Sequence, residues 1–84
     1  MPFAYKAISG RVKTLLQEQF PEAAIDTEKG VAGRVHVRLV CKCFNRRSER
    51  EKQQMVWTAL RNHLDPADLE AISVVLPFGF DDLP

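Results

Sequence analysis

The stretch "RVHVRLVCKCFNRRSEREKQQMVW", residues 34–57, changes its period halfway along. From Arg34 to Phe44 the residues alternate, with Val35, Val37, Leu39, Cys41 and Cys43 on one side and Arg34, His36, Arg38, Val40 and Lys42 on the other. That is the pattern of a strand with one covered face. Beyond the turn, Lys52, Met55, Val56, Ala59, Leu60, His63 and Leu64 recur at helical spacing and form a stripe in which only Lys52 and His63 are polar. Between the two, Ser48 with Glu51 three residues on makes a capping-box pattern, so the helix begins near Ser48. A strand with an apolar face and a basic face needs helices on one side of its sheet, which points to an α+β fold.

The flanks extend this reading. Upstream, Ile8, Val12, Leu15, Leu16 and Phe20 lie at helical spacing with Pro21 as a stop, predicting a helix over about Ser9 to Phe20. "AAIDTEKG", residues 23–30, alternates as a short strand, and the glycine-bounded "GVAG" supplies a hairpin loop. Downstream, "DPADLE" places Asp65 as N-cap and Pro66 in the first helical position of a short helix ending near Glu70. "AISVVL", residues 71–76, is apolar at nearly every position, as a central strand or one buried on both faces would be. "PFGFDDLP", residues 77–84, reads as a C-terminal tail whose Phe78 and Phe80 pack back on the body. The expectation is one domain over residues 1–84, in α-β-β-α-α-β order.

Composition bounds the function. A chain of 84 residues has room for one modest core. No apolar run approaches a bilayer span and the opening "MPFAYKAISG" lacks the apolar block of a signal peptide, so a cytoplasmic location without membrane contact is expected. The formal net charge of +1 conceals an asymmetry: Arg34 to Leu64 holds eight basic and two acidic residues, whereas Asp65 to Pro84 holds five acidic and none basic. The two segments either neutralise each other in the fold or mark a partner surface.

Catalytic and metal-binding patterns are sparse. Cys41 and Cys43, two apart on a strand, could offer soft ligands from one face, but a structural zinc site needs four ligands and His36 falls on the opposite face. Packing as small hydrophobes is the expectation for both. His36 and His63 have no acid and nucleophile beside them in a recognisable spacing, and no HExxH, GxSxG or phosphate-loop motif occurs. The chain is expected to bind rather than catalyse, without a cofactor of its own.

The residues of the middle resemble the BolA-like family. Its signature runs from an aromatic through a turn with glycine and lysine to a serine, and then to a helix carrying Arg-His-Arg before an aliphatic and a tyrosine. Phe44, Ser48, Met55, Val56 and Trp57 fill matching positions without a gap, "VHVRLVCKCF" is similar to the family's second strand, and "LEAISVVLP" to its last. The resemblance covers about Ile8 to Pro77 and implies a class II KH-like fold, a three-stranded sheet backed by helices. Where it departs, Arg46 and Arg47 replace the turn's glycine and lysine, and Lys52, Gln53 and Gln54 replace Arg-His-Arg. In many members that histidine, with a second histidine or cysteine nearer the hairpin, holds an iron–sulfur cluster shared with a monothiol glutaredoxin. Gln53 offers a neutral amide and Arg34 a fixed cation at those places, neither of which suits a cluster held by thiolate or imidazole.

Two binding readings follow. The first, implied by the resemblance, is an adaptor or regulatory module that contacts a protein partner, of the monothiol glutaredoxin type, through strand two, the basic turn and helix two. Its expected contact residues are Arg34, His36, Arg38, Lys42, Arg46, Arg47, Arg50 and Gln53. The second is nucleic-acid binding through the same basic surface, where phosphates would be drawn to a positive groove beside a helix start. The glycine loop with which KH domains clamp a nucleic-acid backbone is missing, its place taken by "NHLDPADL".

Overall fold

A computed structural model describes residues 2–84. The chain runs through α1 (Tyr5–Gln19), β1 (Ala24–Lys29), β2 (Val35–Val40), α2 (Glu49–His63), α3 (Pro66–Ala71) and β3 (Ile72–Phe78). Single 3-10 turns sit at Val31–Gly33, Lys42–Phe44 and Phe80–Asp82. The sheet order is β1-β2-β3, with β1 antiparallel and β3 parallel to β2. The expected α-β-β-α-α-β order and the α+β class are those observed.

The alternation in β2 does what its residues dictate. Val35, Val37 and Leu39 are buried beneath the helices, while His36 and Val40 are half-buried and Arg38 is exposed on the outer face. Ile8, Val12 and Leu16 from α1, Val56 and Leu60 from α2, and Ile25 and Val75 from the neighbouring strands complete one core. Burying these aliphatic side chains contributes roughly 1.5–3 kcal/mol each, so the periodicity alone selects which face of each element turns inward.

Boundaries of α1, β2 and β3 differ from expectation. Helix α1 starts at Tyr5, a turn before Ser9, because Ser9 is buried within it and its hydroxyl donates to the Lys6 carbonyl instead of capping. Tyr5 is fastened by its hydroxyl to Thr27 Oγ1 on β1 at 3.0 Å. Strand β2 stops at Val40, so Cys41 and Cys43 do not share a strand face: Cys41 is buried and Cys43 exposed. Continued alternation would have pointed Phe44 outward; the Lys42–Phe44 turn buries it completely, against Phe20 with ring centroids 5.5 Å apart. A phenyl ring buries far more apolar area than a thiol, and the chain bends accordingly.

Strand β3 lies at the sheet edge rather than at its centre, because β2 already pairs with β1 through the hairpin and the crossover through α2 and α3 reaches only the free side of β2. It continues through Pro77 and Phe78, which pair with Leu39 and Val40, so the tail begins two residues later than expected. A proline is tolerated there because an edge strand has donors to spare. The Asp65 side chain caps nothing; its carbonyl accepts from Leu69 N–H at 3.0 Å while Pro66 opens α3 as expected. The start of α2 is as read, with Glu51 N–H on Ser48 Oγ at 3.1 Å and Ser48 N–H on Glu51 Oε1 at 3.0 Å.

Candidate functional site

The cationic residues of β2 and the hairpin are tied down where they stand. Arg38 pairs across the sheet with Asp26 at 3.2 Å, as opposite charges on facing strand positions do. His36 stands opposite Glu28 and against Gly30, where a Cβ would collide with the imidazole. Arg34 donates to the Glu70 carbonyl at 3.1 Å and lies 5.2 Å from the Phe3 ring centroid. Lys42 is exposed, but in the 3-10 turn rather than on the strand. The expected basic stripe along strand two is thus broken by acidic neighbours and by the end of the strand.

The turn before α2 is different. Arg46 adopts a left-handed backbone, φ +61°, a conformation glycine takes without strain. Arg47 donates from Nε to the Cys43 carbonyl at 3.2 Å and sits 3.6 Å from Glu51. Arg46 and Arg50 are exposed. Beside Arg47 an open groove of about 530 Å³ runs between the end of α1 and α2, with Phe20, Met55 and Ala59 among its lining and Gln54 and His63 on its polar side.

Gln53 is engaged inside the protein. Its Nε2 donates to the Val75 carbonyl at 2.8 Å and its Oε1 accepts from Trp57 Nε1 at 3.1 Å, which fastens α2 to edge strand β3. Cys41 Sγ accepts from the Cys43 N–H at 3.4 Å. The Cys43 thiol is pushed up to about 12, by desolvation first and by the neighbouring Cys41 thiol after it. Among the described residues no three His, Cys, Asp or Glu side chains come together in a way that could hold a metal ion.

Sequence reasoning missed the acidic residues that hold the turn. The Lys52 side chain is only 1% exposed, and its Nζ bridges Glu49 Oε1 at 2.6 Å and Asp82 Oδ2 at 2.7 Å. Asp82 also accepts from Gly79 N–H at 2.8 Å, Asp81 Oδ2 accepts from Arg46 N–H at 2.7 Å, and Asn45 Oδ1 accepts from Phe80 N–H at 2.6 Å. The Lys52 ammonium is raised above its ordinary value by Asp82 and then Glu49, and Asp82 is lowered chiefly by Lys52 and then by Gly79 N–H. The signal was present: a lysine inside an apolar helix stripe requires a carboxylate from elsewhere, and "FDD" carries two.

No family model and no curated protein matches the chain by sequence. Among solved structures it is similar to BolA1 from Arabidopsis thaliana, with a TM-score of 0.68 at 16% identity over 92% of this chain and 96% of that one. At that identity the likeness establishes the fold, which is BolA-like. The two positions at which the family resemblance implies cluster ligands do not fit an iron–sulfur cluster: the Gln53 amide is spent on Val75 and Trp57, and the Arg34 guanidinium on Glu70 and Phe3.

Proposed function

We propose that this chain, BolA-like in fold, is a non-catalytic binding module that contacts a protein partner through the Arg46–Arg50 turn and the groove beside it. The observation that carries the reading is the groove in which Phe20, Met55 and Ala59 stand among polar side chains, Arg47 with them. An aromatic ring, a methionine and an arginine gathered in one groove are side chains enriched at protein interfaces. The family resemblance supports a monothiol glutaredoxin as the partner to test first, met without a cluster ligand from Gln53.

Nucleic-acid binding receives less support from the same geometry. A phosphate track needs neighbouring cations free to release counterions, whereas Arg38 is paired with Asp26 and the turn is lined by Asp81.

Mixing the purified chain with a monothiol glutaredoxin should give a co-eluting complex, and reversing charge at Arg46, Arg47 and Arg50 together should weaken it by tenfold or more, the order expected for a cluster of interface arginines. No complex with the wild-type chain would remove this partner. Tighter retention of RNA or DNA than of any protein, with affinity falling steeply with salt, would favour the other class.

A further inference from the structure

We propose that the C-terminal turn, Gly79–Leu83, is a displaceable internal ligand that closes a cationic cradle at the start of α2, and that the cradle's external ligand is an acidic segment of a partner protein carrying two adjacent carboxylates. The proposal deepens the reading of this turn as a protein contact and rests on it.

The cradle is built from the body of the protein. Lys52 Nζ forms its floor, Arg46 N–H and Asn45 Oδ1 its wall. A lysine head group that is 1% exposed would be costly to leave without carboxylates, and its other partner, Glu49, has a side chain 79% exposed. With the turn closed over it, the ammonium therefore calls for a second carboxylate beside Glu49. Asp82 supplies it at 2.7 Å while Asp81 takes the Arg46 N–H at 2.7 Å, so consecutive carboxylates engage two different donors. That spacing is the recognition element.

The occupant is held by polar contacts and little else. Phe80 is 56% and Leu83 46% exposed, so neither apolar residue of the segment anchors it. A segment with few buried apolar contacts opens locally at a far smaller free energy than the core. It stays in place because the short tether after β3 gives it an effective concentration in the millimolar range. A partner's acidic segment then competes against a bound tail, and its apparent affinity is reduced by the fraction of time the cradle is closed. Gly79 shows how close the seat is: a Cβ there would come within 2.9 Å of the Asn45 backbone nitrogen and within 2.7 Å of Asn45 Oδ1. Gly79→Ala should wedge the tail outward without changing any charge.

The test uses the full chain and a labelled peptide of its own residues 79–84 as the probe, read by fluorescence anisotropy. Gly79→Ala and the double variant D81N/D82N are expected to bind the peptide at least tenfold more tightly than the wild-type chain does. A peptide with both aspartates changed to asparagine should not bind, and adding Lys52→Met to Gly79→Ala should abolish binding. Equal binding by wild type and variants that retain native near-ultraviolet circular dichroism would overturn the proposal, as would binding that survives Lys52→Met. An oligonucleotide that binds the opened variants more tightly than the peptide would overturn the acidic segment as occupant. Should the variants fail to fold, hydrogen exchange of the wild type decides. The Arg46 and Phe80 amides are expected to exchange together, at least a hundredfold faster than those of β2; exchange only along with β2 overturns the proposal. None of these readouts involves a glutaredoxin, so failure of the latch and failure of the partner reading are told apart.

Discussion

Arg11 grips Asp68 at two points, Nε to Oδ2 at 2.7 Å and Nη2 to Oδ1 at 2.9 Å, and so ties α1 to α3. The Asp68 side chain is 11% exposed and that of Arg11 55%. The guanidinium holds the Asp68 carboxyl below its ordinary range, against a smaller opposing effect of burial. A carboxylate with a depressed folded value stabilises the fold above its unfolded value of about 3.9, and that stability is lost as pH falls through the lower folded value. Asp68→Asn should therefore lower the melting temperature by a few degrees at neutral pH. The gap to wild type should narrow as the pH is taken below the ordinary carboxylate range, in thermal melts recorded across pH.

Arg46 holds a left-handed conformation at φ +61°. An L residue with a Cβ is disfavoured there by about 1–2 kcal/mol, and glycine gives back about 0.5–1 kcal/mol through its greater freedom when unfolded. Arg46→Gly should accordingly stabilise the protein, by up to about 1 kcal/mol in urea denaturation. It should also weaken partner binding, because the exposed guanidinium is removed, which separates the backbone's role from the side chain's.

The Gln53 amide satisfies the Val75 carbonyl and the Trp57 indole at once. Gln53→Leu keeps the size but leaves the half-buried indole without its acceptor, and the expected cost is about 1–3 kcal/mol. Trp57 is the only tryptophan of the chain, so the altered indole environment should appear directly as a shifted emission maximum. Gln53→His would place an imidazole at this position. With Arg34 still at the hairpin, its complex with a glutaredoxin should show no new visible absorption.

Cys43 is exposed, but its thiol is pushed up to about 12. Only the thiolate reacts, so iodoacetamide at mildly alkaline pH should alkylate it roughly a hundredfold or more slowly than free cysteine, whose thiol ionises near 8.5. Intact-mass spectrometry over time would show this, with Cys41 unmodified until the protein is unfolded because it is buried.

Much of the candidate site was legible as residue types and far less as geometry. Ser48 and Glu51 declared the start of α2 because a capping box closes within four residues and needs nothing from the rest of the chain. The basic character of the turn was equally plain. That Arg38 meets Asp26 and Lys52 meets Asp82 depends on which strand pairs with which and where the chain end returns, neither of which has a local signature.

The sequence by itself determined the elements, their order and the buried face of α1, α2 and β2, since a period of two or of 3.6 sorts apolar from polar residues before any long-range contact forms. Only the tertiary structure decided that β3 is an edge strand, that Phe44 ends β2 by turning inward, and that Gln53 is consumed by Val75 and Trp57. It also placed the acidic end of the chain on the basic turn, through Lys52 and the Arg46 N–H. Charge complementarity acts through space, so the opposite signs of the two segments could be counted along the chain, while the atoms that meet were selected by the packing that brings the segments together.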